Sequence, residues 1–146
     1  MIRYDTTVVI GRSPRDVFTV MTDPDRYPDW TDMVDVRTDP GPPRVGARGA
    51  FRLAAGPIKG DLHTEVLEVE PDRWLVTRID HPWLDWIATS ELQPGPTATS
   101  TELRYRGEVS LRGWRRLLEP FVAGGIRTGE LAEAERLRGI LERDPA

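Results

Sequence analysis

The hydrophobic pattern of this 146-residue chain changes period near its C-terminus, and this change limits the possible folds more than any other feature. Residues 2–10 alternate between apolar and polar, and from Val34 to Leu111 short apolar runs are separated by turn residues, as in antiparallel strands. From Gly113 to about Arg143, apolar residues recur at three- and four-residue spacings, which indicates an amphipathic helix. The pattern therefore predicts an α+β fold of seven strands and one helix roughly 45 Å long, at about 1.5 Å per residue.

Proline and glycine mark the ends of most predicted elements. The chain has 13 of each, and most lie between apolar runs, where they favour turns. Ser13 followed by Pro14 is typical of a helix start, and the two prolines that follow leave room for only one further helical turn. In the long helix, Pro120 and the Gly124-Gly125 pair predict a kink. The six strands predicted after the first are 34–38, 46–53, 59–70, 74–80, 86–93 and 101–111.

Composition and charge exclude several classes of function. The chain has no cysteine and two histidines, so thiolate chemistry is excluded and no metal site is expected. Its 20 basic and 24 acidic residues are scattered, which argues against a nucleic-acid partner. No apolar run is long enough to span a membrane and residues 1–5 lack a signal-peptide core, so we expect a cytoplasmic protein without integral membrane association. Phosphate-binding and serine-hydrolase motifs are missing, and no cofactor is expected.

A set of spaced residues in the first half of the chain carries a resemblance to a known family. The set consists of Ile10, Ser13-Pro14, Val17-Phe18, Asp23, Tyr27-Pro28, Trp30, Gly46, Pro71 and Arg73. With the order of elements, it resembles the START-like (SRPBCC) superfamily, and within it the polyketide cyclase/dehydrase group, over essentially the whole chain. The resemblance implies one domain, residues 1–146, with a helix-grip fold. In that fold a curved antiparallel sheet with two short helices after its first strand wraps around the C-terminal helix and leaves a cavity for an apolar or aromatic ligand.

The implied cavity makes several residues candidates for ligand binding. Tyrosine and tryptophan combine an apolar ring with a hydrogen-bonding group, and glycines in the middle of the long helix leave space for a ligand. The alternatives are that these glycines only allow close packing, and that Tyr105 is an ordinary core tyrosine. Trp30 is expected to close the end of the sheet as core. The candidate ligand-binding residues are Tyr4, Trp83, Trp86, Ser90, Tyr105, Phe121, Gly125 and Gly129.

Four residues are candidates for catalysis, namely His63, Glu65, Arg78 and Tyr105. His63 and Glu65 are two positions apart on a predicted strand, so they lie on the same face. If that face points into the cavity they form an acid–base pair, and an inward Arg78 would need a carboxylate or an anionic ligand group. The inward faces of strands 59–70 and 74–80 stay open, because the apolar face changes side along the first of them, as it does across a β-bulge or a strong bend.

Three functions are compatible with these observations. The favoured hypothesis is a protein that binds a small hydrophobic or aromatic molecule, such as a lipid, quinone or polyketide, between the sheet and the C-terminal helix. The first alternative is an enzyme of the polyketide cyclase/aromatase type that catalyses aldol cyclisation and dehydration. The second is a protein-interaction or dimerisation module that uses the segment from Trp83 to Trp86. The expected state is a monomer or a homodimer.

Overall fold

A computed structural model describes residues 1–143 and shows seven strands, three α-helices and two 3₁₀ helices over that range. The last three residues of the predicted domain lie outside the described residues. In chain order the elements are β1 Ile2–Ile10, α1 Pro14–Met21, a 3₁₀ helix Pro24–Arg26, α2 Tyr27–Trp30, β2 Met33–Thr38, β3 Arg48–Leu53, β4 Leu62–Glu70, β5 Trp74–His81, β6 Leu84–Pro94, β7 Thr101–Leu111, a 3₁₀ helix Gly113–Leu118 and α3 Glu119–Arg143.

The seven strands form one antiparallel sheet in the order β1-β7-β6-β5-β4-β3-β2. The first strand pairs with the last, from Ile2 opposite Val109 to Ile10 opposite Thr101, and the other strands follow as a meander. This confirms the predicted helix-grip fold. Strands β3 and β4 begin two and three residues later than predicted, because Gly46 (φ 86°) and Gly60 (φ 81°) adopt a left-handed conformation that belongs to the preceding turns.

The helices begin where the sequence indicates, except that the long C-terminal segment is divided. The Ser13 hydroxyl accepts a hydrogen bond from the Asp16 backbone N–H at 3.2 Å, which confirms the predicted start of α1. The segment predicted as one kinked helix is a 3₁₀ helix followed by α3. The irregularity lies before Pro120, which occupies the first turn of α3, where its missing N–H costs no hydrogen bond. Helix α3 then continues through Gly124 and Gly125.

A β-bulge in β4 decides which side chains face α3. Val66 pairs with Thr77 and Glu68 pairs with Val76, so Leu67 is an extra residue in β4, as predicted from the change of apolar face. Before the bulge Thr64 and Val66 lie on the concave side, and after it Val69 packs against the core. A second irregularity in β2 lies beside Asp35, whose φ is 51°.

The main core lies between the concave face of the sheet and the second half of α3. Ile10, Leu103, Leu137 and Leu141 are at most 1% exposed and belong to one cluster, with α1 covering its end. The first half of α3 has fewer contacts, and its partly buried apolar residues are Ala123 and Ile126. No helix within residues 1–143 is both long enough and apolar enough to cross a membrane.

Candidate functional site

A partly open cavity of about 180 Å³ lies between the concave face of the sheet, the α1–α2 segment, the loop after β2 and one residue of α3. Most of the strand residues that line it are apolar or threonine. The apolar strand residues among them include Phe51, Val66, Leu75 and Ile79. The cavity is therefore suited to an apolar body, with polar groups confined to a few positions.

The polar wall of the cavity is formed by Ser90, Tyr105 and Glu133. Ser90 and Tyr105 lie opposite each other on β6 and β7, and the Tyr105 hydroxyl donates a hydrogen bond to Glu133 Oε1 at 3.3 Å. Burial raises the pKa of Glu133 to about 7. The hydrogen bond from Tyr105 lowers the same pKa, but by less than burial raises it. Burial also raises the pKa of Tyr105, which therefore stays protonated. The wall thus has a hydroxyl donor and a carboxyl that exchanges its proton near neutral pH.

Glu130 lies one turn before Glu133 and is only 7% exposed. It makes no side-chain hydrogen bond or ion pair with the other residues of 1–143. Burial, and secondarily the charge of Glu133, raises the pKa of Glu130 to about 9. Two neighbouring carboxyls in an apolar setting therefore hold at least one proton at neutral pH. Such an arrangement can pair with a ligand donor or act as a general acid or base.

The far end of the concave face, beside the cavity, is filled with aromatic side chains. Trp86 Nε1 donates a hydrogen bond to the Tyr4 hydroxyl at 3.0 Å, and the two rings meet edge to face at 6.2 Å between centroids. The Tyr4 ring occupies the space where a side chain on Gly107 would lie. Tyr4 and Trp86, predicted to contact ligand, are therefore packed core residues in the structure and do not line the cavity.

Four other residues predicted to bind ligand also lie away from the cavity. Trp83 is in the β5–β6 turn, where the Arg115 guanidinium stacks 4.0 Å from its ring centre. Phe121 is 84% exposed, and Gly125 and Gly129 have no other side chain within 4 Å of a Cβ position. These four residues do not line this cavity, and α3 reaches it only at Glu133, beyond the glycines. Ser90 and Tyr105 do line it.

Three of the four catalytic candidates lie on the convex face of the sheet. His63 pairs opposite Asp80, and Glu65 pairs opposite Arg78, while Thr64 between them lines the cavity. Arg78 donates to Asp85 Oδ1 at 3.0 Å on the outside. The inward orientation considered for these residues is wrong, because the apolar face switches only after the bulge. Tyr105 alone of the four candidates reaches the cavity. Residues 1–143 hold no cluster of three or more potential metal ligands.

Sequence reasoning missed the two carboxyls of α3, although a signal for them exists. Ile126, Leu137 and Leu141 mark the apolar stripe of the helix, and Glu130 and Glu133 interrupt that stripe at spacings of four and three. An acidic residue on the buried face of a helix needs an explanation, since burial penalises its charge. Trp30 is buried as predicted, and it also lines the cavity.

Solved structures share this fold over nearly the whole chain. TTHA0849 from Thermus thermophilus superposes with a TM-score of 0.79 at 12% identity, covering 99% of both chains. MLL2253 from Mesorhizobium loti matches with a TM-score of 0.68 at 25% identity, covering 97% of this chain and 99% of that one. DynU16, a putative protein in the dynemicin biosynthetic locus, matches with a TM-score of 0.72 at 21% identity, over 97% of this chain and 48% of that one. No curated protein matches the sequence.

Sequence comparison places the chain in a family. The family described as "Polyketide cyclase / dehydrase and lipid transport" matches residues 1–142. The match agrees with the resemblance carried by the spaced residues of the first half, and with the helix-grip architecture described above. This protein is an SRPBCC domain and belongs to the polyketide cyclase/dehydrase and lipid transport family.

Proposed function

We propose that the protein binds a small hydrophobic or aromatic molecule in the cavity between the sheet and α3. The observation that carries this proposal is a partly open cavity of about 180 Å³ whose lining is mostly apolar. Ser90, Tyr105 and Glu133 lie together at one side and supply the hydrogen bonds that would orient a ligand. Family membership supports the same function.

Blocking the cavity tests this proposal. In an Ala88→Leu variant, the larger side chain projects into the cavity from β6. We expect at least tenfold weaker binding of whichever compound stabilises the wild-type protein in a thermal-shift screen of lipids, quinones, aromatic alcohols and amines. Thr89→Leu is the matched control, since Thr89 is the neighbouring residue on the opposite face of β6. Unchanged binding in Ala88→Leu, or no binder at all in the screen, would refute the proposal.

A second candidate function, aldol cyclisation and dehydration of a polyketide, is favoured by the Tyr105–Glu133 pair. In this scheme Glu133 removes a proton from carbon next to a ketone, and Tyr105 donates a hydrogen bond to the carbonyl oxygen on which charge develops. The test is the product profile of a reconstituted poly-β-ketone reaction with Glu133→Gln and Tyr105→Phe. His63→Ala, on the convex face, is the control and should leave the products unchanged.

A protein-interaction role for the segment from Trp83 to Trp86 has less support. Leu84 is 3% exposed and belongs to the core, and Trp86 is packed against Tyr4. Trp83 is covered by Arg115. The segment therefore presents little free apolar surface to a partner.

A further inference from the structure

The charges that line the cavity are unevenly placed. Glu133 lies on the inner wall, whereas the other charged lining residues, Asp39 and Arg48, belong to the loop after β2 and to the start of β3. Arg48 has a 77% exposed side chain, and its guanidinium lies 4.0 Å from Glu65 on the convex face. A carboxylate group on a ligand would therefore lie near the Glu133 carboxyl inside the cavity, where no buried cation lines the wall.

The carboxylate of the inner wall, Glu133, makes no ion pair with a cationic side chain of residues 1–143. Glu130, one turn before Glu133, is 7% exposed and likewise makes no hydrogen bond or ion pair through its side chain in residues 1–143. The charge of Arg136 lowers the pKa of Glu133, but the Arg136 guanidinium is engaged elsewhere: its Nε donates to the Trp30 carbonyl at 2.9 Å and its Nη1 lies 3.7 Å from Asp32. A buried carboxylate without a partner costs stability, so a positively charged ligand group would be favoured there.

The volume of the cavity limits the size of the ligand. An engineered apolar cavity of about 150 Å³ binds benzene. The cavity described here, at about 180 Å³, therefore holds one six-membered ring and a few further atoms. A sterol or a multi-ring polyketide would require the cavity to expand.

We propose that the cavity selects a single-ring molecule that carries a protonated amine, whose ammonium group pairs with the Glu133 carboxylate. This inference rests on the proposed binding function and names the ligand class for it. The Tyr105 hydroxyl donates a hydrogen bond to the same carboxylate, and the apolar strand residues contact the ring. Compounds of the same shape with a carboxylate in place of the amine are rejected by like-charge repulsion.

The pairing predicts a pH dependence of binding. The groups that face Glu133 are Tyr105 from β7, Glu130 and Arg136 from α3, and Asp32 from the segment before β2. Because burial raises the pKa of Glu133 to about 7, its charged fraction grows between pH 6 and pH 8, while Tyr105 stays neutral. Amine affinity should rise over this interval, and the affinity for a neutral alcohol should not.

The test compares three ligands of one shape: 3-phenylpropylamine, 3-phenylpropanol and 3-phenylpropanoate. Isothermal titration calorimetry at pH 8 should show the amine binding at least tenfold more tightly than the carboxylate, with the alcohol between them. Glu133→Gln should remove the preference for the amine over the carboxylate. Glu65→Gln removes the same charge from the convex face and should leave the order intact, which controls for attraction by the net charge.

Each outcome separates this inference from the proposed function. If the carboxylate binds as tightly as the amine, or if Glu133→Gln keeps the amine preference, the inference is wrong and the binding function stands. If none of the three ligands and no compound of the wider screen binds, both are wrong. The pH series on the wild-type protein needs no variant, and an amine affinity that is constant from pH 6 to pH 8 would also refute the inference.

Discussion

The two ends of the concave face differ in how they are filled, although one continuous sheet forms both. At the β1–β7–β6 end, Tyr4 and Trp86 interlock over Gly107, and no space remains for a ligand. At the β3–β5 end, the inward positions include small or short side chains such as Ala50 and Thr77, and a cavity remains. Because one sheet forms both ends, the size of the inward-facing side chains decides which part of the concave face holds a cavity.

The buried carboxyls of α3 lie where the filled and hollow ends meet. Glu133 faces the cavity and Tyr105, and Glu130 raises the pKa of Tyr4, although burial is the larger cause of that shift. A fold selected only for stability would place apolar side chains at both positions, since burying a charge is unfavourable. The boundary between the two ends is therefore the part of the core whose composition is best explained by ligand binding.

The largest effect should come from adding a methyl group at the filled end. In Gly107→Ala the new Cβ overlaps the Tyr4 ring, so we expect a loss of about 3 kcal/mol in the free energy of unfolding. Urea denaturation measures this loss. Gly125→Ala is the control, because its Cβ meets no atom within 4 Å and alanine is the better helix former, by up to about 1 kcal/mol. Equal stability of the two variants would contradict the packing described for Tyr4.

Replacing the buried carboxyl of Glu130 should stabilise the protein at alkaline pH. Its pKa is raised from 4.5 to about 9, so its contribution to stability is complete below about pH 4.5 and is lost as the pH rises towards 9. At pH 8, Glu130→Gln should have a free energy of unfolding more than about 1.4 kcal/mol above that of the wild type, which is the equivalent of one pKa unit. Urea denaturation measures this difference. At pH 4.5 the difference should be small. Glu108→Gln on the exposed surface should show no such pH dependence.

Removing the Tyr4 hydroxyl should cost about 1 kcal/mol. Tyr4→Phe leaves the indole N–H of Trp86 without its acceptor in a packed region, and an unpaired buried donor is unfavourable. Tyr105→Phe removes a hydroxyl of the same kind at the cavity wall, where solvent can reach Glu133, so its effect on stability should be smaller. Thermal denaturation of both variants compares the filled and hollow ends directly. The reverse order would show that the cavity wall is the better packed of the two.

Filling the hollow end should have the smallest effect on stability. In Ala88→Leu the added side chain enters the cavity rather than occupied space, so the free energy of unfolding should change by less than about 1 kcal/mol in either direction. Urea denaturation at pH 7 measures this change. A loss near that expected for Gly107→Ala would mean that the cavity volume is already occupied by the surrounding side chains.

Much of the fold was predictable because it depends on local patterns. Alternation at period two, the proline and glycine turns and the Ser13 cap each reflect interactions within a few residues, and all are present in the structure. Even the bulge at Leu67 was visible as a change of apolar face along β4. The site was predicted less well, since only Ser90 and Tyr105 of the proposed ligand-binding residues line the cavity.

The errors in the site have one physical cause, which is that a strand or helix pattern does not say what lies opposite it. His63 and Glu65 alternate correctly, but only the pairing of β4 with β3 and β5 places them on the convex face. Gly125 and Gly129 leave space, but on a part of α3 that faces away from the cavity. Side-chain periodicity defines two faces, and tertiary packing chooses between them.

The sequence by itself determined the α+β class, the seven strands and the long C-terminal helix, because these follow from short-range periodicity and turn chemistry. It also indicated the family, through the resemblance carried by the spaced residues of the first half. Only the tertiary structure decided where the cavity lies and which polar groups reach it. Those depend on the sizes of side chains that meet across the sheet and on the register of α3 over it. Glu130 and Glu133 show the difference: the sequence contains both on the apolar stripe, and the fold places Glu133 in the wall of the cavity while Glu130 is buried outside that wall.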